Sequence, residues 1–289
     1  MLVKRIILLF FRDKANVFFS LLAVLIILGL YILFLGDAMV QMLQSQLDSS
    51  TALISVTMAS LIMAGMVAVT SVTCCMGSLG IGVEDKETAS KDFLTSPASR
   101  GKITAGYLFG SAVIGLIMTT VALVICVGYL IFKGGSIPDL NTVFLLMFTV
   151  VLSVLCGNSM VYFLSVFIKT QNAFSAVSTV IGTLIGFLMG IYMPIGQMPE
   201  AVQWVIKCFP MSHAGSMFRQ LLADNNLLEL FGHAPQDTMP LEQFREMFGV
   251  VYTFGDYTST FWFSAGYLAC ATVIFFLLSL AVVHLRKNK

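Results

Sequence analysis

Long apolar runs alternate with short polar breaks along this chain, at about residues 17–35, 53–73, 106–131, 143–168, 173–195 and 260–285. Each holds enough consecutive apolar residues to cross roughly 30 Å of hydrocarbon as a helix, because lipid leaves every backbone N–H and C=O to be satisfied within the segment. The pattern therefore predicts six transmembrane helices in an all-α integral membrane protein. The third, fourth and sixth runs are long enough to tilt or to extend past the bilayer. No internal repeat or low-complexity tract interrupts them, so residues 1–289 read as one membrane domain.

The breaks differ in kind. Residues 1–16 mix Lys4, Arg5, Arg12 and Lys14 with Ile6, Ile7, Leu8, Leu9, Phe10 and Phe11, which suits either an interfacial helix at the membrane surface or a plain positive flank. Residues 36–51 read as a short polar connection. Residues 84–102 form a dense charge cluster, with eight ionic side chains, four of each sign. Such a stretch does not lie in lipid. Within it Glu87 precedes Lys91 by one helical turn in the favourable order, Ala89 and Phe93 share a face, and Pro97 disfavours the helical conformation at Ser96. A short amphipathic helix, a turn and then the third span are expected.

Residues 196–259 are too long for a simple connector. Pro199 suits the start of a helix through Val202, Trp204, Val205 and Ile206, closed by Pro210. A second helix is expected at about 212–222, with Phe218, Leu221 and Leu222 on apolar positions and Arg219 among them. Both are too short to span, so they are expected to be re-entrant or flat in the outer leaflet. A soluble piece follows at about 240–248.

Composition agrees with the class: 58% of residues are hydrophobic and 11% charged, against about 25% charged in soluble domains. The net charge of +1 says little, but its distribution orients the chain. Twelve of the sixteen Lys and Arg residues lie in the N-terminus, the charged loop, the fourth-to-fifth turn and the tail, which places both termini in the cytoplasm by the positive-inside rule. The first span is longer than a signal-peptide core and no small-residue cleavage pattern follows it, so it is expected to stay as an anchor of a multi-pass protein in the cell membrane.

Polar residues at membrane depth are few. Thr57 and Ser60 in the second span and Asn158 in the fourth either line a pathway or bond to helix backbone. Gly106 and Gly110 permit close helix approach near the inner face. In the fifth span Ser178, Gly182, Gly186 and Gly190 recur every four residues, a ridge for close packing within the subunit or across a dimer.

Several chemistries lack their residues. No acidic or basic side chain falls in the core of a span, where ion-coupled transporters keep theirs. No GxxxxGK[ST] phosphate loop exists, and no histidine or acid stands near midplane to activate a nucleophile. The histidines and cysteines show no metal-ligand spacing. The chain reads as neither an enzyme nor a self-powered transporter.

Three stretches, RIILLFFRDKANVFF, EDKETASKDFLTSPASRGKITAGYLFG and MPEAVQWVIKCFPMSHAGSMFRQLL, resemble the permease subunit of type-2 ATP-binding-cassette transporters, the mostly exporting class. The middle stretch is the specific one: Glu84, Lys86, Glu87, Leu94, Pro97 and Arg100 match, while Ala89 and Ser90 replace the usual Gly-Thr. The resemblance implies that residues 84–102 are a cytoplasmic coupling helix, with Glu84, Glu87, Lys91 and Arg100 as polar contacts, Phe93 and Leu94 as its apolar anchor, and Pro97 as its stop. It implies a separate cytoplasmic ATPase partner that binds ATP and Mg, no cofactor on this chain, a second permease copy or homologue as dimer partner, and a membrane-lipid rather than a nucleic-acid environment. Pro199, Trp204, Pro210 and Arg219 correspond to outer re-entrant helices that gate the pathway. A pathway lined by Met, Phe, Ser and Thr suits amphipathic or hydrophobic cargo such as a drug, an antimicrobial peptide or a lipid-linked compound. The competing reading is a non-transporting sensor or accessory protein whose outer loop binds a ligand.

Overall fold

A computed structural model describes residues 2–44, 50–88, 100–232 and 239–287. Its elements are helices α1 (Leu2–Arg12), α2 (Lys14–Leu30), a π-helical turn (Tyr31–Leu35), α3 (Gly36–Gln44), α4 (Thr51–Thr88), α5 (Arg100–Phe132), α6 (Leu140–Phe167) and α7 (Gln171–Leu188). After a 3-10 turn (Ile195–Gln197) come α8 (Glu200–Cys208), α9 (Pro210–Gly232), α10 (Leu241–Met247), a hairpin of β1 (Thr253–Phe254) and β2 (Tyr257–Thr258), and α11 (Phe261–Lys287). "Inner" and "outer" below follow the charge-based orientation.

The centre of the fold is α4. Its apolar residues run around its whole circumference rather than along one stripe, the pattern of a helix enclosed by others. Of its most apolar window 83% is buried, against 44% for α5, 39% for α6 and 17% for α7 and for α11. It packs on α2, α3, α5, α6, α7 and α9. At 38 residues it is roughly 57 Å long and overshoots a 30 Å hydrocarbon layer at its ends. That overshoot is why Glu84–Thr88 continue the helix as a stem instead of starting a loop.

Among the described residues five helices, α4, α5, α6, α7 and α11, are long and apolar enough to cross a membrane, and α2 brings the total to six if its two halves, bent by 41°, count as one span. The bend lies between Leu22 and Val24. Asp13 caps α2, its carboxylate accepting from the N–H groups of Ala15 and Asn16, which sets the elbow after α1. At the far end the chain widens into the π-turn while Tyr31 donates to the carbonyl of Ser55 at 3.2 Å.

Four expectations change. The polar connection at 36–51 contains helix α3, which folds because Val40 and Leu43 bury against Ile54, Met58 and the end of α9. The fifth span stops at Leu188, not near residue 195, because the chain turns at Gly190, whose φ of +61° belongs to the left-handed region. Helix α9 runs past residue 222 to Gly232, since Ala223, Leu227 and Leu230 find an outer core with Phe244 and Phe248. At 23 residues it is long enough to span, but its Asp224–Asn226 stretch keeps it out of the apolar set. Finally, Pro210 does not only end α8: it is the first residue of α9, where its missing N–H costs nothing.

Candidate functional site: the charged stem and the outer helix pair

At the inner end, α1 lies across α4 and α5 on a stripe one turn apart. Leu2 packs on Gly106, Ile6 on Gly110 and Phe10 on Gly77; a Cβ at Gly110 would meet Ile6 Cγ2 at 3.1 Å. The glycine pair in α5 thus receives the N-terminal helix. Leu8, Leu9 and Phe11 stay exposed on its other side.

The polar face of α1 closes the same joint. The Arg5 guanidinium donates to both carboxylate oxygens of Asp85, at 2.8 and 3.2 Å, and the Tyr107 hydroxyl donates to one of them. Bidentate geometry makes this the strong form of an ion pair, and the bond to Asp85 pushes the Arg5 pKa up. Gly82 leaves room for the Tyr107 ring, 3.0 Å from where its Cβ would stand. Asp85 was not among the candidate residues; its charge was visible, but its partner lies 80 positions away.

Two residues on, the exposed Glu87 accepts the backbone N–H of Gln171 at 2.7 Å. That N–H opens α7, whose cap Thr170 accepts from Ala173. Phe174 adds apolar contact over Gly80. Glu84 is exposed on the same stem. Lys91, Phe93, Leu94 and Pro97 lie outside the described residues, and Arg100 is described only as the first backbone position of α5.

Inside the bundle, Asn158 joins three helices. Its amide donates to the Leu108 carbonyl at 3.0 Å and its oxygen accepts from Ser111 at 2.8 Å, while Ser111 bonds Ser78 at 2.7 Å. Thr57 and Ser60 are buried and donate back to the carbonyls of Leu53 and Thr57, each at 2.7 Å. These three polar residues face protein.

At the outer end Arg219 is 1% exposed. Its Nε donates to the Leu61 carbonyl at 3.2 Å, one Nη to the Gly249 carbonyl at 3.3 Å and the other to the Met189 carbonyl. Met189 ends α7 and Gly249 follows α10, so the cation sits at the negative ends of two helices. Two glycines make the space: Cβ atoms at Gly65 and Gly249 would fall 3.2 and 3.1 Å from the guanidinium, while at Gly190 and Gly215 they would stand in ordinary contact at 3.7 Å. Of the other outer candidates, Pro199 precedes α8, Trp204 is 49% exposed with Lys207 over its ring, and Pro210 begins α9.

The small-residue ridge divides. Ser178 and Gly182 are half-buried on α7, and nothing lies within 4 Å of a Cβ at Gly182. Gly186 is covered by this chain's own Tyr192, and Gly190 stands beyond the helix, beside Ile195 and Arg219. The four positions therefore do not form one face.

No curated protein matches the chain. A family does, over most of its length: ABC-2 family transporter proteins, along residues 58–281. The stretch runs from α4 through the charged stem, the buried Asn158 network and the helix pair around Arg219 to α11. A polytopic helical protein with an ionic stem between two long spans, matched over that length, belongs to the ABC-2 family of transporters as a membrane permease subunit.

Proposed function

We propose that this chain is the membrane half of an ATP-driven exporter in the cell membrane, with both termini cytoplasmic and six spans once the bent α2 is counted. Energy enters from a separate ATPase that carries ATP and Mg. The observation that carries this reading is the stem of α4, which keeps the helix intact through Glu84, Asp85 and Glu87 to Thr88, at the start of the charged segment. Glu84, Lys91 and Arg100 supply polar contacts to the ATPase, Phe93 and Leu94 the apolar anchor, and Pro97 the stop of the coupling element.

The pathway forms between two permease copies. The support is the sparse cover of α7 and α11 within one subunit and the exposed side chains Val177, Val180 and Leu184 beside the open Gly182. Because α7 carries no ionic residue from Gln171 to Leu188, the cargo is amphipathic or hydrophobic: a drug, a peptide or a lipid-linked compound. The helices α8 and α9, with Pro199, Trp204, Pro210 and Arg219, form the outer gate.

The test is purification with native partners, followed by ATPase measurements against a panel of amphipathic compounds. A co-purifying ATPase stimulated by some members is the expected result. Because a few buried aromatic groups dominate most interfaces, Phe93→Ala should uncouple hydrolysis from transport while the protein stays in the membrane. Cargo movement by the isolated chain without nucleotide would sink the reading.

A further inference from the structure

The fifth helix is held by very little. Among the described residues α7 packs chiefly on α4, and along its middle Val177, Val180 and Leu184 are exposed. Besides the buried Phe174, Ile185 and Met189, a polar bond holds each of its two ends. At the outer end the Met189 carbonyl is held by Arg219, and at the inner end the Gln171 N–H is held by Glu87 at 2.7 Å. Glu87 is the last acidic residue of the α4 stem, immediately before the charged loop. A carboxylate on the first N–H groups of a helix makes a charge-assisted bond at the positive end of its dipole.

We propose that Glu87 is a positioning residue of the transport cycle, which grips the N-terminus of α7 so that a displacement of the charged loop moves the fifth helix directly, in place of a contact to the ATPase. The assignment rests on the ATP-driven reading above. Its mechanical half is independent of that reading: the Glu87 carboxylate joins the loop stem to the start of α7, beside the contact of Phe174 over Gly80. At the far end Arg219 passes the motion of α7 to α9 and α4.

The experiment uses the full-length chain in nanodiscs, with the exposed Cys208 and Cys270 replaced by Ser and spin labels at Lys102→Cys and Ser175→Cys, both exposed positions at the inner ends of α5 and α7. Glu87→Ala should broaden and shift the distance distribution between the labels, and Glu87→Gln, which keeps an acceptor oxygen, should stay close to the unmodified chain. Gln171→Pro is the second variant: it removes the same donor at a helix position that tolerates proline and should reproduce the effect of Glu87→Ala. In the complex with its ATPase, Glu87→Ala should still co-purify and hydrolyse ATP, with cargo moved per ATP falling about twofold to thirtyfold, the range of mutational coupling effects. Unchanged label distances in both variants overturn the proposal, with or without an ATPase. Loss of ATPase binding in Glu87→Ala also overturns it, since Glu87 would then be an ATPase contact. Shifted distances in a chain that binds no ATPase would support the grip and overturn the ATP-driven reading instead.

Discussion

Arg219 shows how a cation is kept inside without a carboxylate. A buried guanidinium without hydrogen-bond partners is strongly unfavourable, and here each of three nitrogens has its own backbone carbonyl. The arrangement needs the planar fork of arginine, because the three acceptors lie in different directions and on different elements. Arg219→Met should strand the Met189 and Gly249 carbonyls, at roughly 1–3 kcal/mol for each, and lower the stability of the detergent-purified protein by about 3 kcal/mol, read as an earlier midpoint in denaturant or heat. Arg219→Lys should recover less than half of the loss, since one ammonium does not reach all three acceptors. A melting curve for Arg219→Met that overlays the parent would mean the site is wet. Gly190 and Gly249 both have positive φ; Gly249 leaves space for the guanidinium, and Gly190 for Ile195.

At the scale of elements, one joint decides where the N-terminal helix lies. The stripe of Leu2, Ile6 and Phe10 meets Gly106, Gly110 and Gly77 because both α1 and α5 repeat at one turn, so two residues four apart on one face two residues four apart on the other. Gly110→Leu should drive Ile6 out of its seat and free α1, raising maleimide labelling of an Ile6→Cys probe severalfold, while the Arg5 to Asp85 pair alone does not hold the helix. Labelling that stays at the parent level would show that the ion pair suffices. Asn158 is the other joint at this scale: a single amide ties α6 to α5, and through Ser111 to α4. In lipid such bonds contribute about 0.6 to 2 kcal/mol each, which marks this region as bundle interior.

At the scale of the whole molecule, the distribution of burial names the face on which the proposed second copy is to be tested. Helix α4 is enclosed while α7 and α11 are bare, so the subunit has a closed side around α4 and an open side along α7. Cysteine at Gly182 should therefore crosslink between subunits in membranes, and cysteine at Gly186 should not, because Tyr192 of the same chain covers it. Crosslinking at Gly186 alone, or at neither position, would move the contact away from this face. The outer segment at 225–257 also gains a role at this scale. Its α10 and hairpin close over α9, with Lys207 bonded to Glu246 at 3.2 Å and Arg245 to Asp224 at 2.5 Å, and it supplies the Gly249 carbonyl to Arg219.

Read along the chain, apolar run length and ionic content are one-dimensional quantities, and they sufficed for the membrane class, the charged stem and the presence of helices at 200–208 and around residue 215. They also carried the family resemblance, since its motifs are local strings. What they did not carry is partnership. Whether Gly186 and Gly190 belong to an outward ridge depends on where Tyr192 and Arg219 arrive, and whether Glu87 points to another protein or to α7 depends on a bond spanning 84 positions. Arg219 and Leu61 meet across 158 positions, and Arg5 and Asp85 across 80. Residues so far apart come together only when the helices have chosen their neighbours. That choice is made by packing of small residues in three dimensions, and no local pattern encodes it.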